Sequence, residues 1–340
     1  MCKLKATRAI LLAWSMLLII YINSYFYLLS EDDSTDSRKT DKPYKHSIAL
    51  PTSTYHISTF PERIKINDSY ERGFSVTNSK LCPEEGSNIL VFIAVFSSPH
   101  NEDGRNVIRN TWGCCSKRKD IALGFLIGAF HNRTVERVLK REQHFFQDII
   151  QTKCIDSYDN LTYKTLAMLE WVSRFCMKSK FVLKTDDDMF INVGKLLDLI
   201  KTIPSEANAM YGKVIDGMPR FKYESSKHYL PSTQYDQDIL PTYLSGPAYL
   251  IPTHLSQLLL NKSLDHTSFK LEDVFISGII ATSLRIKLVH NPGFYNFHLN
   301  INPCNVQHRI SLHNMNRDEQ LEIWKNLHNP FITCGFSKLY

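Results

Sequence analysis

The chain has 340 residues, of which 43% are hydrophobic and 22% are charged, and this is the composition of a globular protein. Its length allows one large domain or two small ones. The net charge of +6 is modest, and the basic residues form neither a tail nor a stripe interleaved with aromatic residues, so nucleic-acid binding is disfavoured.

An uncharged, mostly apolar run occupies residues 9–29. About 20 such residues cross a bilayer as a helix. Lys3, Lys5 and Arg8 precede the run and acidic residues follow it, so the positive-inside rule predicts a cytosolic tail of residues 1–8 and a single-pass type II signal anchor. The alternative is a cleaved signal peptide, but the run is longer than a usual signal core and no clean cleavage site follows it.

Residues 30–81 are polar, contain several prolines and show no sustained apolar period, so we predict a flexible lumenal stem there. The folded catalytic body is then expected over residues 82–340. Four N-glycosylation sequons agree with a lumenal body, and they begin at Asn67, Asn132, Asn160 and Asn261.

Seven cysteines follow the predicted anchor. In an oxidising lumen most of them should pair, and an odd number leaves at least one free or bridged to a second chain, so an oligomer is compatible with the sequence. For the adjacent Cys114 and Cys115 we expect two different partners rather than a bond to each other.

Within the body, apolar runs alternate with helical patterns. Residues 89–96, 121–130 and 180–183 are typical of strands that are buried on both faces of a sheet. Helices are predicted over residues 133–150, 161–176 and 273–284, and a further helix is predicted to begin at Val193, after the third strand. A last helix is predicted to follow an N-cap at Asn316, with Leu321, Trp324 and Leu327 on its buried side. Residues 211–250 are predicted as short strands and loops over the site. This alternation predicts an α/β fold with a mostly parallel central sheet.

Three consecutive carboxylates, Asp186, Asp187 and Asp188, directly follow the third strand. Ligands of such sheets bind beyond the carboxyl ends of the strands. Crowded carboxylates repel one another, but a divalent cation makes the arrangement favourable, and oxygen ligands suit Mn²⁺ or Mg²⁺. The alternative is a solvated acidic turn.

Taken together, six segments resemble, in the same order, motifs of the Golgi β-1,3-glycosyltransferase family. They are RNVIRNTW (105–112), FLIG (125–128), DSYDNLTYKT (156–165), KFVLKTDDDMF (180–190), YLSGPAY (243–249) and EDVFISG (272–278). Two departures stand out, because Ala248 replaces the usual second glycine and one additional residue precedes Gly278. Since both places should border the sugar pockets, we expect these departures to bear on sugar specificity.

The resemblance implies a two-lobed, Rossmann-like fold of the GT-A type behind a Golgi membrane anchor, with a UDP-sugar donor and a divalent metal that is usually Mn²⁺. It assigns Asp188 to direct metal contact, Asp186 and Asp187 to support of the metal and the nucleotide, and His313 to completion of the metal or diphosphate site. From the sequence alone, His313 could equally be a surface or core histidine.

Basic residues of these segments are candidates for nucleotide contacts. Arg105 and Arg109 are four residues apart, on one face of a helical turn, and guanidinium groups match phosphate geometry. The alternative is a surface pair or an ion pair to the sheet edge. Lys164 and Asp156 are assigned to the nucleotide, although Asp156 could instead cap the following helix.

Glu272 and Asp273 form a second acidic pair. The resemblance assigns Asp273 to the general base that takes the proton of the acceptor hydroxyl in an inverting transfer, and we place Glu272 at the nucleotide-sugar. The alternative for Asp273 is a helix cap.

The predicted reaction moves galactose from UDP-galactose to a 3-hydroxyl of an acceptor glycan on a glycoprotein or glycolipid. N-acetylglucosamine from its UDP derivative is the alternative donor sugar. Two other classes remain: a non-catalytic, membrane-anchored glycan-binding protein on the same fold, and a metal-dependent phosphohydrolase. The presence of Asp186, Asp188 and Asp273 favours an enzyme over the former. The latter would need further metal ligands and a nucleophile at suitable spacing, and no second cluster in the sequence supplies them.

Overall fold

The computed structural model describes residues 64–204, 206–299, 302–332 and 334. The predicted cytosolic tail, the signal anchor and the first part of the stem lie outside these residues. Within them, no helix combines the length and the apolar character that a membrane span requires.

The strands of the described chain are as follows: β1 (Phe74–Val76), β2 (Val91–Phe96), β3 (Ile121–Ala129), β4 (Ile149–Ile155), β5 (Phe181–Asp186), β6 (Phe190–Ile191), β7 (Ala209–Ile215), β8 (Tyr243–Pro252), β9 (Lys287–His290), β10 (Phe294–Tyr295) and β11 (Ser311–Leu312). Apart from short 3₁₀ turns, the helices are α1 (Ile66–Ser69), α2 (Glu102–Asn110), α3 (Arg133–Phe146), α4 (Leu161–Phe175), α5 (Val193–Thr202), α6 (Ser256–Leu264), α7 (Val274–Ile280, continued by an α-helical turn at Ala281–Ser283), α8 (Pro303–Val306) and α9 (Arg317–Leu327). Helix α7 has the wide turns of a π-helix.

The central sheet has the strand order β1-β4-β3-β2-β5-β8-β7-β9 in the part of the chain that is described. Strands β4, β3, β2 and β5 are mutually parallel, whereas β8 runs antiparallel to both β5 and β7. The register pairs Phe96 at the end of β2 with Asp186 at the end of β5. The predicted α/β class with parallel central strands is confirmed, and the acidic turn lies at the carboxyl edge of these strands.

The predicted helix over 133–150 is wrong at its end. Helix α3 stops at Phe146, Gln147 takes a left-handed conformation (φ 52°), and Ile149 already begins strand β4. Ile149 and Ile150 are both fully buried because β4 lies inside the sheet, and consecutive apolar residues of this kind do not distinguish a strand from a helix.

The capping box of the last helix is confirmed, since the Asn316 side chain accepts from the Glu319 backbone N–H at 3.0 Å and the Glu319 carboxylate accepts in return. The buried side of α9 is displaced from our expectation. Ile323 and Gln320 are the buried residues, whereas Leu321, Trp324 and Leu327 are only partly buried. The polar Gln320 is inside because its amide oxygen accepts from the Trp112 indole at 3.2 Å.

The prediction of a flexible stem as far as residue 81 is wrong for residues 64–81. Ile66 is fully buried, and strand β1 pairs antiparallel with β4. A disulfide between Cys82 and Cys176 then joins the end of this segment to the end of α4. The folded domain therefore includes the segment that precedes Cys82, whose polar composition concealed its few buried side chains.

Two disulfides are formed in the described chain, Cys82–Cys176 and Cys304–Cys334. The expectation that most of the seven cysteines pair is therefore confirmed. The expectation of two partners for Cys114 and Cys115 is wrong, since both thiols are free and partly buried, as is Cys154. Among the sequons, Asn67, Asn132 and Asn261 are exposed, while Asn160 is half-buried and donates to the Ile155 carbonyl at 2.9 Å.

Candidate active site

The acidic turn begins where β5 leaves the sheet. The side chain of Lys184 is buried beneath it and donates from Nζ to Asp186 Oδ1 at 2.6 Å and to the Gly246 carbonyl at 2.8 Å. Burial opposes the charge of Lys184, but Asp186 and the neighbouring Glu272 outweigh it and raise the pKa of this lysine. Burial also raises the pKa of Asp186, against the effect of Lys184. Lys184 thus joins β5 to β8 at this edge.

Asp187 points to the loop that follows β2. Its Oδ2 accepts from Asn101 Nδ2 at 2.7 Å, and Asn101 caps α2 by accepting from the Gly104 backbone N–H at 3.2 Å. Burial raises the pKa of Asp187, while hydrogen bonds from Ser97 and Asn101 oppose the shift. Asn101 was not found by sequence reasoning; the N-cap position just after a buried strand was the signal that could have found it.

Asp188 and His313 meet at this edge. His313 Nε2 lies 3.3 Å from Asp188 Oδ2, and β11, which ends just before His313, pairs with β6. Burial opposes the charges of both groups, but their mutual interaction prevails, so the pKa of Asp188 is lowered and that of His313 is raised. Asp188 Oδ1 is buried and has no hydrogen-bond partner.

Sequence reasoning brought Asp188 and His313 together correctly, although 125 positions separate them in the chain. No group of three His, Cys, Asp or Glu side chains in the described residues is arranged to hold a metal ion. Any metal at this pair would therefore need further ligands from outside these side chains.

Asp273 stands at the start of α7. Its Oδ2 accepts from the Gly246 backbone N–H and its Oδ1 from the Val274 backbone N–H, both at 2.9 Å. A Cβ on Gly246 would lie 3.0 Å from Asp273 Oδ2, so the close approach depends on glycine. Burial raises the pKa of Asp273. The helix-cap alternative is true in part, because Asp273 does cap α7, but its other oxygen is held by β8.

The wide turns of α7 coincide with the sequence departure before Gly278. A π-helical turn holds more residues than an α-helical turn, so α7 takes up the additional residue. Ser277 Oγ donates to the Asp273 carbonyl at 2.6 Å and accepts from the Leu244 backbone N–H at 2.8 Å, which fixes α7 against β8. At the other departure, Ala248 is fully buried in the core, so our expectation that it borders a sugar pocket is wrong.

Glu272 lies beneath Asp273 and faces inward. Tyr249 donates its hydroxyl to Glu272 Oε1, and Lys184 Nζ lies 3.9 Å from Glu272 Oε2. Burial raises the pKa of Glu272 to about 7, while Lys184 opposes the shift. The structure gives Glu272 partners within the protein, so its predicted contact with the nucleotide-sugar stays a prediction.

Asp156 and Lys164 form an ion pair near the end of β4. Lys164 Nζ donates to Asp156 Oδ2 and to the Ser97 carbonyl, both at 2.8 Å, and the Gly128 backbone N–H donates to Asp156 Oδ2 at 2.6 Å. The capping alternative for Asp156 is wrong, because α4 begins after Asn160. The pair joins the carboxyl ends of β2, β3 and β4.

Arg105 and Arg109 share one face of α2, as the spacing predicted, but that face is turned into the protein. All five N–H donors of Arg105 have partners: Glu142, the Ser97 hydroxyl, and the carbonyls of Ser98 and Pro99. The ion-pair alternative therefore describes Arg105, and its predicted contact with a phosphate is corrected to a structural role beneath the loop after β2.

Arg109 binds the same acidic partners from the next turn of α2. Its guanidinium makes two hydrogen bonds to Asp148, at 2.7 and 2.8 Å, and lies 2.7 Å from Glu142 Oε1. Burial opposes the charge of Glu142, but the two arginines outweigh it and lower the pKa of Glu142. The predicted nucleotide contact of Arg109 is corrected in the same way.

The segment between β7 and β8 reaches across the carboxyl edge of the sheet. His228 Nδ1 lies 2.9 Å from the hydroxyl of Tyr158, which precedes α4 at the far side of the edge. This confirms that loops between residues 211 and 250 lie over the site. Tyr158 belongs to the segment 156–165 that resembles a family motif, but neither side chain was given a role from the sequence, and nothing in their spacing connects them.

The fold and the site define a class of protein. A sheet with parallel central strands carries partly buried carboxylates, held by hydrogen bonds, at its carboxyl edge. Open α/β sheets bind their ligands at this edge, and such groups suit acid–base chemistry. Comparison with known proteins then identifies the family. The family model described as Galactosyltransferase matches residues 103–292, more than half of the chain. The chain belongs to this galactosyltransferase family and is a glycosyltransferase, which takes a nucleotide-sugar donor and a glycan acceptor.

Similar proteins agree with this assignment. The chain is 31% identical to human beta-1,3-galactosyltransferase 1 over 320 residues, covering 92% of this chain and 95% of that one, and the mouse protein gives the same values. Human beta-1,3-galactosyltransferase 2 is 30% identical over 269 residues, with coverage of 76% and 63%.

Solved structures resemble the chain more weakly. A glycosyltransferase involved in glycosylation of the major capsid of PBCV-1 has a TM-score of 0.39 and 9% identity, with coverage of 69% of this chain and 98% of that chain. Galactosyltransferase LgtC, in complex with donor and acceptor sugar analogues, has a TM-score of 0.38 and 10% identity, with coverage of 70% and 96%. These values are too low to carry any conclusion about the site, so the GT-A type of the fold stays a prediction.

Proposed function

We propose that this protein is an inverting β-1,3-galactosyltransferase that moves galactose from UDP-galactose to a 3-hydroxyl of an acceptor glycan. The observation that carries the proposal is the position of Asp273, a partly buried carboxylate fixed by two backbone N–H groups beside the acidic turn. The similarity to beta-1,3-galactosyltransferases 1 and 2 supports galactose and the β-1,3 linkage.

Asp273 would act as the general base. One carboxylate oxygen takes the proton of the acceptor hydroxyl as that oxygen attacks the anomeric carbon, and the bond from this carbon to the diphosphate breaks on the opposite face. Attack from the opposite face inverts the α-linked donor to a β-linked product. Burial makes Asp273 more basic, which favours proton removal at neutral pH.

The residues at the acidic turn fit a divalent cation. Asp188 Oδ1 is a buried carboxylate oxygen without a partner, and the His313 imidazole lies beside the other oxygen. We propose that Asp188 and His313 hold Mn²⁺, with Mg²⁺ as the alternative and with Asp186 in support, while diphosphate and water oxygens supply the remaining ligands. When bound, the cation neutralises charge on the departing UDP.

The remaining assignments concern the nucleotide and the membrane. Asp187 and the Asp156–Lys164 pair lie around the loop after β2, and we propose that they border the nucleotide. The type II anchor over residues 9–29 and a Golgi location are part of the proposal, supported by the charge pattern of the N-terminus and by the exposed sequons Asn67, Asn132 and Asn261.

A donor panel tests the proposal. The purified full-length chain is offered UDP-galactose, UDP-N-acetylglucosamine and UDP-N-acetylgalactosamine with Mn²⁺ and neutral and acidic acceptor sugars, and the product linkage is read by NMR. We expect a β-1,3-linked galactose. A product made from another donor would overturn the sugar assignment, and an α-linked product would overturn inversion. Absence of UDP release with every donor would favour the non-catalytic reading.

A further inference from the structure

A short segment after β10 contacts the part of β8 that holds the candidate base. Asn296 Nδ2 donates to the Ser245 carbonyl at 3.2 Å, one residue before the backbone N–H that holds Asp273. The next residue, Phe297, accepts at its carbonyl from the His313 backbone N–H at 3.3 Å. The backbone around Asn296 therefore lies between the part of β8 that holds Asp273 and the end of β11 at His313.

These side chains are aromatic, and each faces a cation. Phe297 is 51% exposed, and its ring meets that of Tyr295 edge to face, with 5.8 Å between the centroids. Lys213 Nζ lies 4.7 Å from the Phe297 centroid, and the Arg309 guanidinium lies 4.7 Å from the Tyr295 centroid. We call these four residues the aromatic–cationic surface.

The two cations of this surface have no acidic partner. In the described chain, no carboxylate oxygen lies within 4.0 Å of the Lys213 ammonium or the Arg309 guanidinium. Among the described residues, the Arg309 guanidinium donates only to the Pro292 carbonyl, at 2.9 Å. The buried cations nearer the site differ, because Lys184 and Lys164 each contact a carboxylate.

The register of the sheet places Lys213 at the site. The pairing of β7 with β8 is regular from Tyr211 to Gly212 and resumes at Val214 opposite Leu244, with an irregularity between. Lys213 therefore lies beside the bulged part of β8 that holds the base. Its ammonium lies over the Phe297 ring, so this ring and the backbone that positions Asp273 are joined through β7.

We propose that the aromatic–cationic surface binds an acidic sugar of the acceptor glycan, one that carries a carboxylate or a sulfate. The inference rests on the proposed function, and it names the substrate class of the same site. The exposed Phe297 ring and the partly exposed Tyr295 ring pack against the apolar C–H face of a pyranose, and the two unpaired cations bind its anionic group. Arg309 matches the geometry of a carboxylate or sulfate, and Lys213 supplies a point charge.

Matched acceptors test this inference on the full-length chain. N-acetyllactosamine is compared with its 6-sulfated form, and a galactose-terminated disaccharide with a glucuronic-acid-terminated one, using UDP-galactose and Mn²⁺. We expect the KM of each acidic acceptor to be at least about tenfold lower, equivalent to about 1.4 kcal/mol. The preference should shrink as salt is raised, because an exposed ion pair is screened.

The variant Lys213→Gln with Arg309→Gln should remove the preference and leave the KM of UDP-galactose unchanged. Lys201→Gln is the matched control, since Lys201 is an exposed lysine on α5. Equal use of acidic and neutral acceptors by the unchanged protein would overturn the inference, as would an equal loss of preference in the control.

Binding separates this inference from the proposed function. On a glycan array without donor, the unchanged chain should retain the acidic sugars and the double variant should lose them. If UDP-galactose gives no transfer with any acceptor, the proposed function fails, but the array result still stands. Retention of neutral glycans only would overturn the acidic-sugar site whatever the donor result.

Discussion

Two charge clusters, one between helices α2 and α3 and the other at the carboxyl edge of the sheet, differ in the ratio of cations to carboxylates. The balanced cluster beneath α2 has two cations and two carboxylates, namely Arg105, Arg109, Glu142 and Asp148. The acidic cluster at the carboxyl edge has one buried cation for three carboxylates, namely Lys184 with Asp186, Glu272 and Asp273. The pKa of Glu142 is lowered in the first, whereas the pKa values of all three carboxylates are raised in the second.

We infer from this difference that the charged groups of the balanced cluster stabilise the fold, whereas the carboxylates of the acidic cluster can take part in the reaction. In the balanced cluster every carboxylate has a guanidinium partner, so no proton or ligand is needed to satisfy it. In the acidic cluster, one lysine cannot neutralise three carboxylates, and burial keeps them basic. Surplus carboxylates at the ligand-binding edge favour the binding of a proton or of a metal cation. A general base has to bind a proton, and a metal-assisted transfer needs a bound cation.

The largest effect is expected in the acidic cluster, from Asp273→Asn. The substitution keeps the shape and one hydrogen-bond acceptor but removes the base, so the transfer rate should fall about 10²–10⁴-fold. The rate is measured as UDP release with saturating UDP-galactose and acceptor. Asp265→Asn, on an exposed aspartate, is the control and should transfer at the normal rate. A normal rate in Asp273→Asn would exclude Asp273 as the base.

In the balanced cluster, Glu142→Gln should act on stability. It leaves two buried guanidinium groups short of a carboxylate, and breaking a buried pair costs about 3–5 kcal/mol. Urea unfolding measures the loss, while the transfer rate per folded molecule should change little. Glu136→Gln on the same helix removes only an exposed pair with Lys140 and should leave the unfolding free energy unchanged. Equal losses in the two variants would contradict a buried network.

Asp188→Asn tests whether the acidic turn binds the metal, because it removes one negative charge from that turn. Its carboxylate oxygens are assigned to Mn²⁺, so we expect at least about tenfold weaker activation by this ion. The Mn²⁺ concentration that gives half-maximal transfer is the measurement. Asp198→Asn on α5, an exposed aspartate, is the control. An unchanged Mn²⁺ dependence would remove Asp188 from the metal site.

The smallest effect concerns the pH dependence of stability at Glu272. Its pKa in the fold is about 7 against an ordinary value of 4.5, so the folded state binds this proton more tightly. The stabilisation is complete below pH 4.5 and is lost as the pH rises through about 7. Glu272→Gln should therefore flatten the fall in unfolding free energy across this window, and an unchanged slope would show that Glu272 does not hold the proton.

The acidic cluster could be predicted from the sequence in part, whereas the balanced cluster could not. The runs over 89–96 and 180–183 indicated parallel strands, and the carboxylates after the second run placed the acidic turn at the sheet edge. The pairing of Asp188 with His313 came from the family resemblance, since strand periodicity carries no information about contacts so far apart in the chain.

The balanced cluster could not be predicted in the same way. The spacing of Arg105 and Arg109 is the same whether their face meets solvent or Glu142, and only the packing of α2 against α3 decides between them. The role of Lys184 could not be predicted either, because the sequence does not show that a lysine inside an apolar strand contacts Asp186 and Gly246. Residues 64–81 were missed because few of their side chains are buried.

The most direct measurement takes the transfer rate and the unfolding free energy from the same preparations of Asp273→Asn and Glu142→Gln. We expect Asp273→Asn to lose the rate while losing at most the roughly 1–3 kcal/mol of the one backbone hydrogen bond that it cannot accept, whereas Glu142→Gln should lose more stability and keep the rate per folded molecule. A proportional loss of both quantities in both variants would contradict the division between a cluster that holds the fold and a cluster that performs the reaction.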